Sequence, residues 1–360
     1  MRPCAIRVAA SARTITSVDP AVQRSIRRIV AQWRQLTGGS AVRDPGRPTL
    51  LALSGGPDSS ALLLALASCK PARIVAAHIR HNLRPDASQN ADLESARSLS
   101  ERLGVPFVSR DIQIEDHSNP EAEARRLRYA VLTDIADESG CRFVATGHHA
   151  DDQLETMLMT LTRGSGPGGL SGIRPSRPLS ESVALVRPAL VCSRAELLEI
   201  CHDAGHQPAH DETNDDLTRR RAWLRARVIP ELLAHADEEL PARLMSAQSL
   251  LADAHTLGIE RAEELMRHSQ QDASGVECPI DLLAPELGLV IGEWLRLAAG
   301  QLQGDAGRDS LGWKHLEPIV ARVTSGDMHA KTYDLKGLRV TVTNRFVRVE
   351  SFSRDVTSRV

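Results

Sequence analysis

The sequence predicts an α/β protein: a doubly wound parallel sheet, followed by a mainly helical domain with a short C-terminal β segment. Three observations carry this. Short apolar runs alternate with helical spacing from Thr49 to Thr162, as βαβ units require. From Ser193 onward apolar residues recur mainly at helical intervals. Near the end Leu338, Val340 and Val342, then Val347 and Val349, alternate at a period of two, with turn signals at Lys336-Gly337 and Thr343-Asn344.

Taken in order, Val18 to Leu36 reads as an amphipathic helix with Val22, Ile26, Ile29, Val30 and Trp33 on one side. A loop rich in Gly, Arg and Pro leads to Pro48. Strands are expected at Thr49 to Leu53, Ile74 to His78, Phe107 to Ile114 and Arg142 to Thr146, and helices at Ser59 to Ser68 and Ser88 to Leu103. Before the fourth strand, Asn119 can cap a helix with Pro120 in its first turn, a buried stripe of Leu127, Val131 and Ile135, and Gly140 as its stop. A helix from Asp152 to Thr162 should turn Leu154, Met157, Leu158 and Leu161 inward. "RGSGPGGLSG" (Arg163 to Gly172) then reads as a mobile, glycine-rich loop. Glu239 to Gln270 and Leu282 to Leu302 are expected helices, separated by the polar stretch "HSQQDASGVE".

A length of 360 residues suggests two or three domains, and 42% hydrophobic content suits sizeable cores. Aromatics make up 3%, which argues against a base-stacking surface, and a net charge of -2 leaves any nucleic-acid contact to local basic patches. Six scattered cysteines form no C-x-x-C pair. That argues against structural zinc and a dithiol, and it fits a reducing, cytoplasmic setting. No apolar run reaches the ~18 residues of a membrane span, so no membrane role is expected. The stretch before Val18 reads as a loose tail.

Ligands of an open parallel sheet bind beyond the carboxyl ends of its strands, and two polar clusters fall there. In "TLLALSGGPDSSALLLA", Ser54, Gly55 and Gly56 let backbone N–H groups approach an anion at a helix start. No Gly-Lys-Ser/Thr follows, so this is not a Walker A loop, and the dinucleotide fingerprint spacing is absent. Asp58 would repel bare phosphate unless a cation such as Mg²⁺ lies between them. The plainer reading is that Asp58 or Ser59 only caps the next helix. It leaves unexplained the second cluster, "TGHHADD" (Thr146 to Asp152), at another strand end.

Here the sequence resembles the PP-loop ATP pyrophosphatases, whose signature is S-G-G-x-D-S. Further motifs are similar to the tRNA(Ile)-lysidine synthetase family. These are "AAHIRHNLRPDA" (Ala76 to Ala87), "EAEARRLRYAVL" (Glu121 to Leu132), "ATGHHADDQLETMLMTLTRGSGPGGLSG" (Ala145 to Gly172), "RPAL…SRAELLEI" and "DETNDDLTRRRAWLRARVIPEL". They cover roughly Thr49 to Leu232 in the family's order, and the resemblance is weak beyond. Arg80, Asn82 and Ala222 depart from the usual Asp or Asn, Gly, and Asn. The resemblance implies an extension at 1–47 with one amphipathic helix, a catalytic domain at 48–217, a helical tRNA- and substrate-binding domain at 218–330, and a β tail at 331–360.

It also implies a ligase that uses ATP and Mg²⁺. ATP adenylates the C2 oxygen of the wobble cytidine in the CAU anticodon of tRNA(Ile), releasing diphosphate. Free L-lysine then attacks C2 and expels AMP, and codon reading changes from AUG to AUA. On this basis ATP is assigned to Ser54, Gly55, Gly56, Pro57, Asp58, Ser59, His78, Gly147 and His148. Asp58 and Asp152 are assigned to the metal, and Asp58, Asp151, Asp152, Arg125 and Arg128 to catalysis. Glu155, Arg163, Asn214, Arg221 and Arg225 are assigned to lysine and tRNA, and Asp151, Asp152 and Glu155 all stay open as the carboxylate that orients lysine. Asp152 and Glu155 also fit a capping box. Adjacent His148 and His149 lack a third ligand at metal spacing and are expected to approach the nucleotide or the cytosine. The arginines of Thr218 to Arg227 fit phosphate contacts, against the plainer reading of a solvated helix face. The Gly164 to Gly172 loop would close over the splayed base. A homodimer is left open. The alternatives are another AMP-forming PP-loop tRNA enzyme such as a thiolase, which would need reactive cysteines, a small-molecule ligase, or a degenerate tRNA-binding homologue.

Overall fold

The computed structural model describes residues 19–69, 73–83, 85–115, 120–164, 166–209, 220–235, 240–272, 274–304, 311–327, 329–335 and 337–352. The caps and turns expected at Asn119 and Lys336, and Asn214, lie outside these. The chain divides into two compact units, residues 1–155 with 173–237 and residues 156–172 with 238–360.

In the first unit, helix α1 (Pro20–Leu36) is capped by Asp19, whose carboxylate accepts from the Ala21 N–H at 2.7 Å. It is no appendage: Val22, Ile29 and Trp33 enter the core, and Trp33 Nε1 donates to Thr49 Oγ1 at 3.1 Å. Strand β1 (Thr49–Ala52) leads into helix α2 (Pro57–Ala67), which is buried on every side from Ser59 to Leu66. An apolar run without helical polarity belongs in such a central position. Then come β2 (Ile74–His81), α3 (Asp86–Leu103), β3 (Phe107–Ile112), α4 (Pro120–Glu138), β4 (Phe143–Ala145) and α5 (Ala150–Arg163). α6 (Pro167–Leu170) belongs to the second unit, and β5 (Ser176–Pro178), β6 (Ala184–Val186) and α7 (Arg194–Asp203) return to the first.

The sheet order is β3-β2-β1-β4-β6-β5, parallel except for the β5 edge. Residues from α1, α2, α3 and α7 share one core and α4 contributes to another, with sheet residues in both. The chain runs outward from β1 to β3 and then crosses back to place β4 on the other side of β1. The β1/β4 boundary is therefore the switch point where such sheets open a crevice.

Several expectations change. α4 buries Tyr129, Leu132, Ile135 and Ala136, while Leu127 and Val131 are only half-buried, so its stripe is rotated toward the tyrosine. The buried face of α5 is Gln153, Leu154 and Glu155; Met157 and Leu158 are half-buried and Leu161 is 53% exposed. A polar buried face signals a site rather than a core. A last helical stretch runs through α8 (Arg220–Trp223), a π turn (Leu224–Val228) and α9 (Ile229–Ala234). Pro230 lacks the N–H of a regular helical bond, which accounts for irregular pairing just before it.

The second unit holds α10 (Leu240–Arg267), β7 (Gln270–Gln271), β8 (Gly275–Pro279), α11 (Ile280–Leu283), α12 (Gly288–Gln303), α13 (Trp313–Thr324), β9 (Lys331–Leu335), β10 (Leu338–Val342) and β11 (Phe346–Ser351). The stretch read as a polar separator supplies two strands of an antiparallel sheet, order β7-β8-β11-β10-β9. Val276 and Cys278 join Val340 and Val347 in its core. The glycine-rich loop contains the turn α6, where a Cβ on Gly168 would stand 2.7 Å from the His255 ring. Among the described residues no helix is long and apolar enough to cross a membrane.

Candidate active site

β1 ends at Ala52, and Ser54 to Gly56 turn the chain into α2. Gly55 has φ +89°, and a Cβ there would lie 2.4 Å from the Asp92 carbonyl oxygen. Both facts demand glycine. Its carbonyl accepts from the Ala209 N–H (3.1 Å) and Ser95 Oγ (3.3 Å), so the turn is held from two sides. Ser59 Oγ accepts from the Ser54 N–H at 3.1 Å and donates to the Gly56 carbonyl at 3.2 Å. Pro57 opens α2, and Asp58 lies in its first turn, whose amides have no partner within the helix. This is an anion cradle carrying a carboxylate.

The end of β4 meets this cradle. A Cβ on Gly147 would stand 2.8 Å from both the Asp58 carbonyl carbon and Ser59 N, so only glycine allows the two strand ends to close up. His149, buried, puts Nε2 3.7 Å from Asp58 Oδ2 and 3.6 Å from Asp152 Oδ2. Its own N–H donates to Asp152 Oδ2 at 3.0 Å. α5 starts two residues earlier than expected, so the capping contact joins His149 and Asp152 rather than Asp152 and Glu155. Burial raises the Asp58 pKa, with Asp152 adding to it and His149 and Arg194 opposing. For Asp152 burial also pushes upward, but His149, His148 and Arg221 outweigh it, and the net direction is down. Two neighbouring carboxylates are thus driven apart.

Asp151 is elsewhere. Its Oδ2 accepts from the Arg194 N–H at 3.1 Å, at the start of α7, so the adjacent acids divide between a helix start and the site. Glu155 is fully buried, and Arg221 and Arg225 close on it: Arg221 Nε donates at 2.6 Å, Arg225 Nε at 2.5 Å and Arg225 Nη2 at 3.0 Å. Arg221 also reaches Asp152 at 3.3 Å. The i, i+4 spacing put both arginines on one face, as expected, but that face turns inward onto carboxylates. For Arg225 burial lowers the pKa, yet the Glu155 and Asp152 charges prevail and raise it. Both guanidiniums thus pair with carboxylates of the site, while Arg221 stays half-exposed.

His78, on β2, is buried with Nδ1 2.8 Å from the Leu53 carbonyl; burial lowers its pKa, so the neutral ring donates there and leaves Nε2 as an acceptor. His148 Nδ1 lies 2.9 Å from Thr146 Oγ1. Burial pushes its pKa down, Arg187, Arg125 and Arg128 add to this, and Asp152 opposes. Arg125 and Arg128 stand over the Tyr129 ring at 5.1 and 5.8 Å, and both are exposed. Arg163 is exposed at the end of α5. Two of the unusual residues find partners. Arg80 leans toward Asp111 on β3 at 3.7 Å, and the Asn82 side chain pairs with both backbone groups of Ile114. The structure offers no reason for Ala222, which is simply buried.

His149, expected to approach the nucleotide or the cytosine, instead stands between Asp58 and Asp152. Its spacing of three from Asp152, at a strand end, is the signal that marks it. Arg177 and Arg187 carried no such signal, since their positions depend on how β5 and β6 pair. Among the described residues no group of three His, Cys, Asp or Glu forms a metal cage. Asp58 Oδ1 is nevertheless buried without a hydrogen-bond partner, and two carboxylates beside a phosphate cradle fit Mg²⁺. Cys141, Cys192 and Cys201 are buried, and burial pushes their thiols up to about 11, 12 and 12. Such thiols are inert.

The chain is 36% identical to the tRNA(Ile)-lysidine synthase of Novosphingobium aromaticivorans over 63% of its length and 66% of that protein. It is 32% identical to that of Geobacter sulfurreducens over 87% and 65%, and 37% identical to that of Methylobacterium nodulans over 65% and 64%. These matches thus span just under two thirds of each relative's length. A solved U34-tRNA thiolase, NcsA from Methanococcus maripaludis, aligns at 18% identity over 60% of this chain and 80% of that one, with a TM-score of 0.42, too loose to bear on function. A family description, PP-loop domain, matches residues 19–232, which include both strand ends and the Glu155 arginines. On that match, which covers more than half of its residues, the chain belongs to the PP-loop domain family.

Proposed function

We propose that this protein is a tRNA(Ile)-lysidine synthase. It joins the ε-amine of free lysine to C2 of the wobble cytidine in a CAU anticodon, with ATP cleaved to AMP and diphosphate. The observation that carries the reading is the approach of Gly147 to Asp58 and Ser59, which sets a carboxylate-bearing anion cradle against His149 and Asp152.

The amides at the start of α2 bind the β and γ phosphates of ATP. Asp58 and Asp152 would hold Mg²⁺, which when bound offsets the charge that develops on departing diphosphate. Burial raises the Asp58 pKa, and a bound cation would favour its charged form. Arg125 and Arg128, beside His148, add positive charge for the α-phosphate. Neutral His148 and His78 offer hydrogen bonds without adding charge. Lysine must lose a proton before its amine attacks, and Asp152 is the carboxylate best placed to orient it, because Arg221 and Arg225 already saturate Glu155. Arg221 and Arg225 are positioning residues that hold this acidic wall in place. The unreactive thiols speak against the thiolase reading.

The test is incubation of the chain with ATP, Mg²⁺, labelled lysine and tRNA(Ile) bearing CAU. Label should enter that RNA and not methionine tRNA, with diphosphate released. No label and no diphosphate under binding conditions overturns the proposal.

A further inference from the structure

Four arginines gather around one tyrosine at the β6 side of the site. Arg125 and Arg128 on α4 and Arg177 on β5 place their guanidinium carbons 5.1, 5.8 and 4.9 Å from the Tyr129 ring centroid. Arg187, directly after β6, is 3% exposed and donates from Nη1 to the Arg174 carbonyl. Its Nε makes no hydrogen bond, and the buried Tyr129 hydroxyl lies close enough to favour its charge. Of the two acids in the first turn of α4, Glu121 and Glu123, the latter pairs with Arg126. Among the described residues no carboxylate forms an ion pair with any of the four. Burial disfavours the Arg187 charge, Tyr129 favours it, and Arg177 and Arg125 add their repulsion.

The physical logic is specific. A carboxylate would collect guanidiniums and also neutralise them. An aromatic ring face attracts them while leaving their charge and N–H forks available. The cluster is therefore arranged for an anion brought by something else. It holds more positive charge than one α-phosphate needs. It also opens to solvent, since Arg125 and Arg128 are exposed, and Arg177 sits half-buried on the edge strand. Arg221 and Arg225, by contrast, are paired with Glu155.

We propose that Arg177, gathered beside Arg125 and Arg128 on the Tyr129 ring, binds a phosphodiester of the RNA substrate next to the base that reacts. This rests on the reading of the protein as a tRNA-modifying enzyme, and it adds a contact which the motifs did not indicate.

The test measures binding of a 17-nucleotide CAU anticodon stem-loop RNA to the full chain by fluorescence anisotropy across 50–200 mM salt. Arg177→Ala should weaken binding by about threefold to tenfold and reduce the slope of log K against log salt by about 0.7–0.9. Arg177→Lys should retain the slope, and ATP affinity should stay as in the wild type for both. An unchanged affinity and slope in both Arg177→Ala and Arg177→Glu overturns the proposal. So does an equal loss of ATP affinity, which would give Arg177 to the nucleotide. Lysine incorporation by the wild type separates the two readings. Normal incorporation without an Arg177 effect sinks only this inference, whereas an Arg177 effect without incorporation sinks only the proposed reaction.

Discussion

At Asp58, stability and the proposed chemistry pull in opposite directions. Its pKa in the fold stands above the ordinary 3.8 because burial disfavours the charge. The folded chain therefore keeps this proton over a window where the unfolded chain has lost it. Stability contributed by the group falls as pH rises through that window, upward from about 4. In metal-free buffer at pH 7, Asp58→Asn should raise Tm by about 2–4 °C, the shift expected for about 1 kcal/mol in a domain of this size. It should also flatten that part of the pH dependence and abolish diphosphate release. Calorimetry across pH and a diphosphate assay check both, and full activity in the variant would remove Asp58 from the metal role. Glu155 offers the opposite case. Glu155→Gln leaves two guanidiniums facing a neutral amide, and unfolding in urea should show a loss of about 3 kcal/mol, the low end for breaking a buried pair. Arg221 is half-exposed, which tempers the effect.

Among the elements, the strand ends matter more than the strands. Gly55→Ala combines a strained φ with a backbone clash against Asp92, and Gly147→Ala drives a methyl into the backbone of Asp58 and Ser59. Both should weaken ATP binding by about tenfold or more, equivalent to 1.4 kcal/mol, as isothermal titration would measure. Wild-type ATP affinity in Gly147→Ala would show that the two loops need not meet. The elements also explain what could be read in advance. β1 and α2 are apolar on all sides, and their positions in the sequence pattern matched their burial. α5 misled, because its inward face is Gln153, Leu154 and Glu155, and periodicity can only follow apolar residues. The phosphate loop was legible because its glycines and its aspartate are adjacent in sequence. The arginine–tyrosine cluster was not, because α4, β5 and the end of β6 bring its parts together from Arg125 through to Arg187.

At the level of the molecule, the second unit depends on its final strands. Val340, Val342, Val347 and Val349 are buried in the same core as Val276, Cys278, Ile291 and Trp294. β11 pairs with β8 from Phe346 to Glu350. Truncation after residue 330 should therefore unfold the unit rather than trim a tail, leaving β8 without its β11 partner. Hydrogen exchange should lose protection across 275–303 while residues 49–67 keep theirs. Protection retained in 275–303 would mean that the helices hold alone.

Periodicity, glycine placement and motif order were enough to specify a βαβ sheet, the anion loop and an acidic cluster at a second strand end, since each is a local pattern with a local physical cause. Folding alone decided which charges meet. It set Asp152 beside His149 and Asp151 against the Arg194 amide, turned Arg221 and Arg225 onto Glu155, and collected Arg177 beside Arg125. Such choices depend on the register of β4, β5 and β6 and on the angle at which helices cross them. The energy of a buried charge is set by its neighbours in space, which the linear order of residues does not contain.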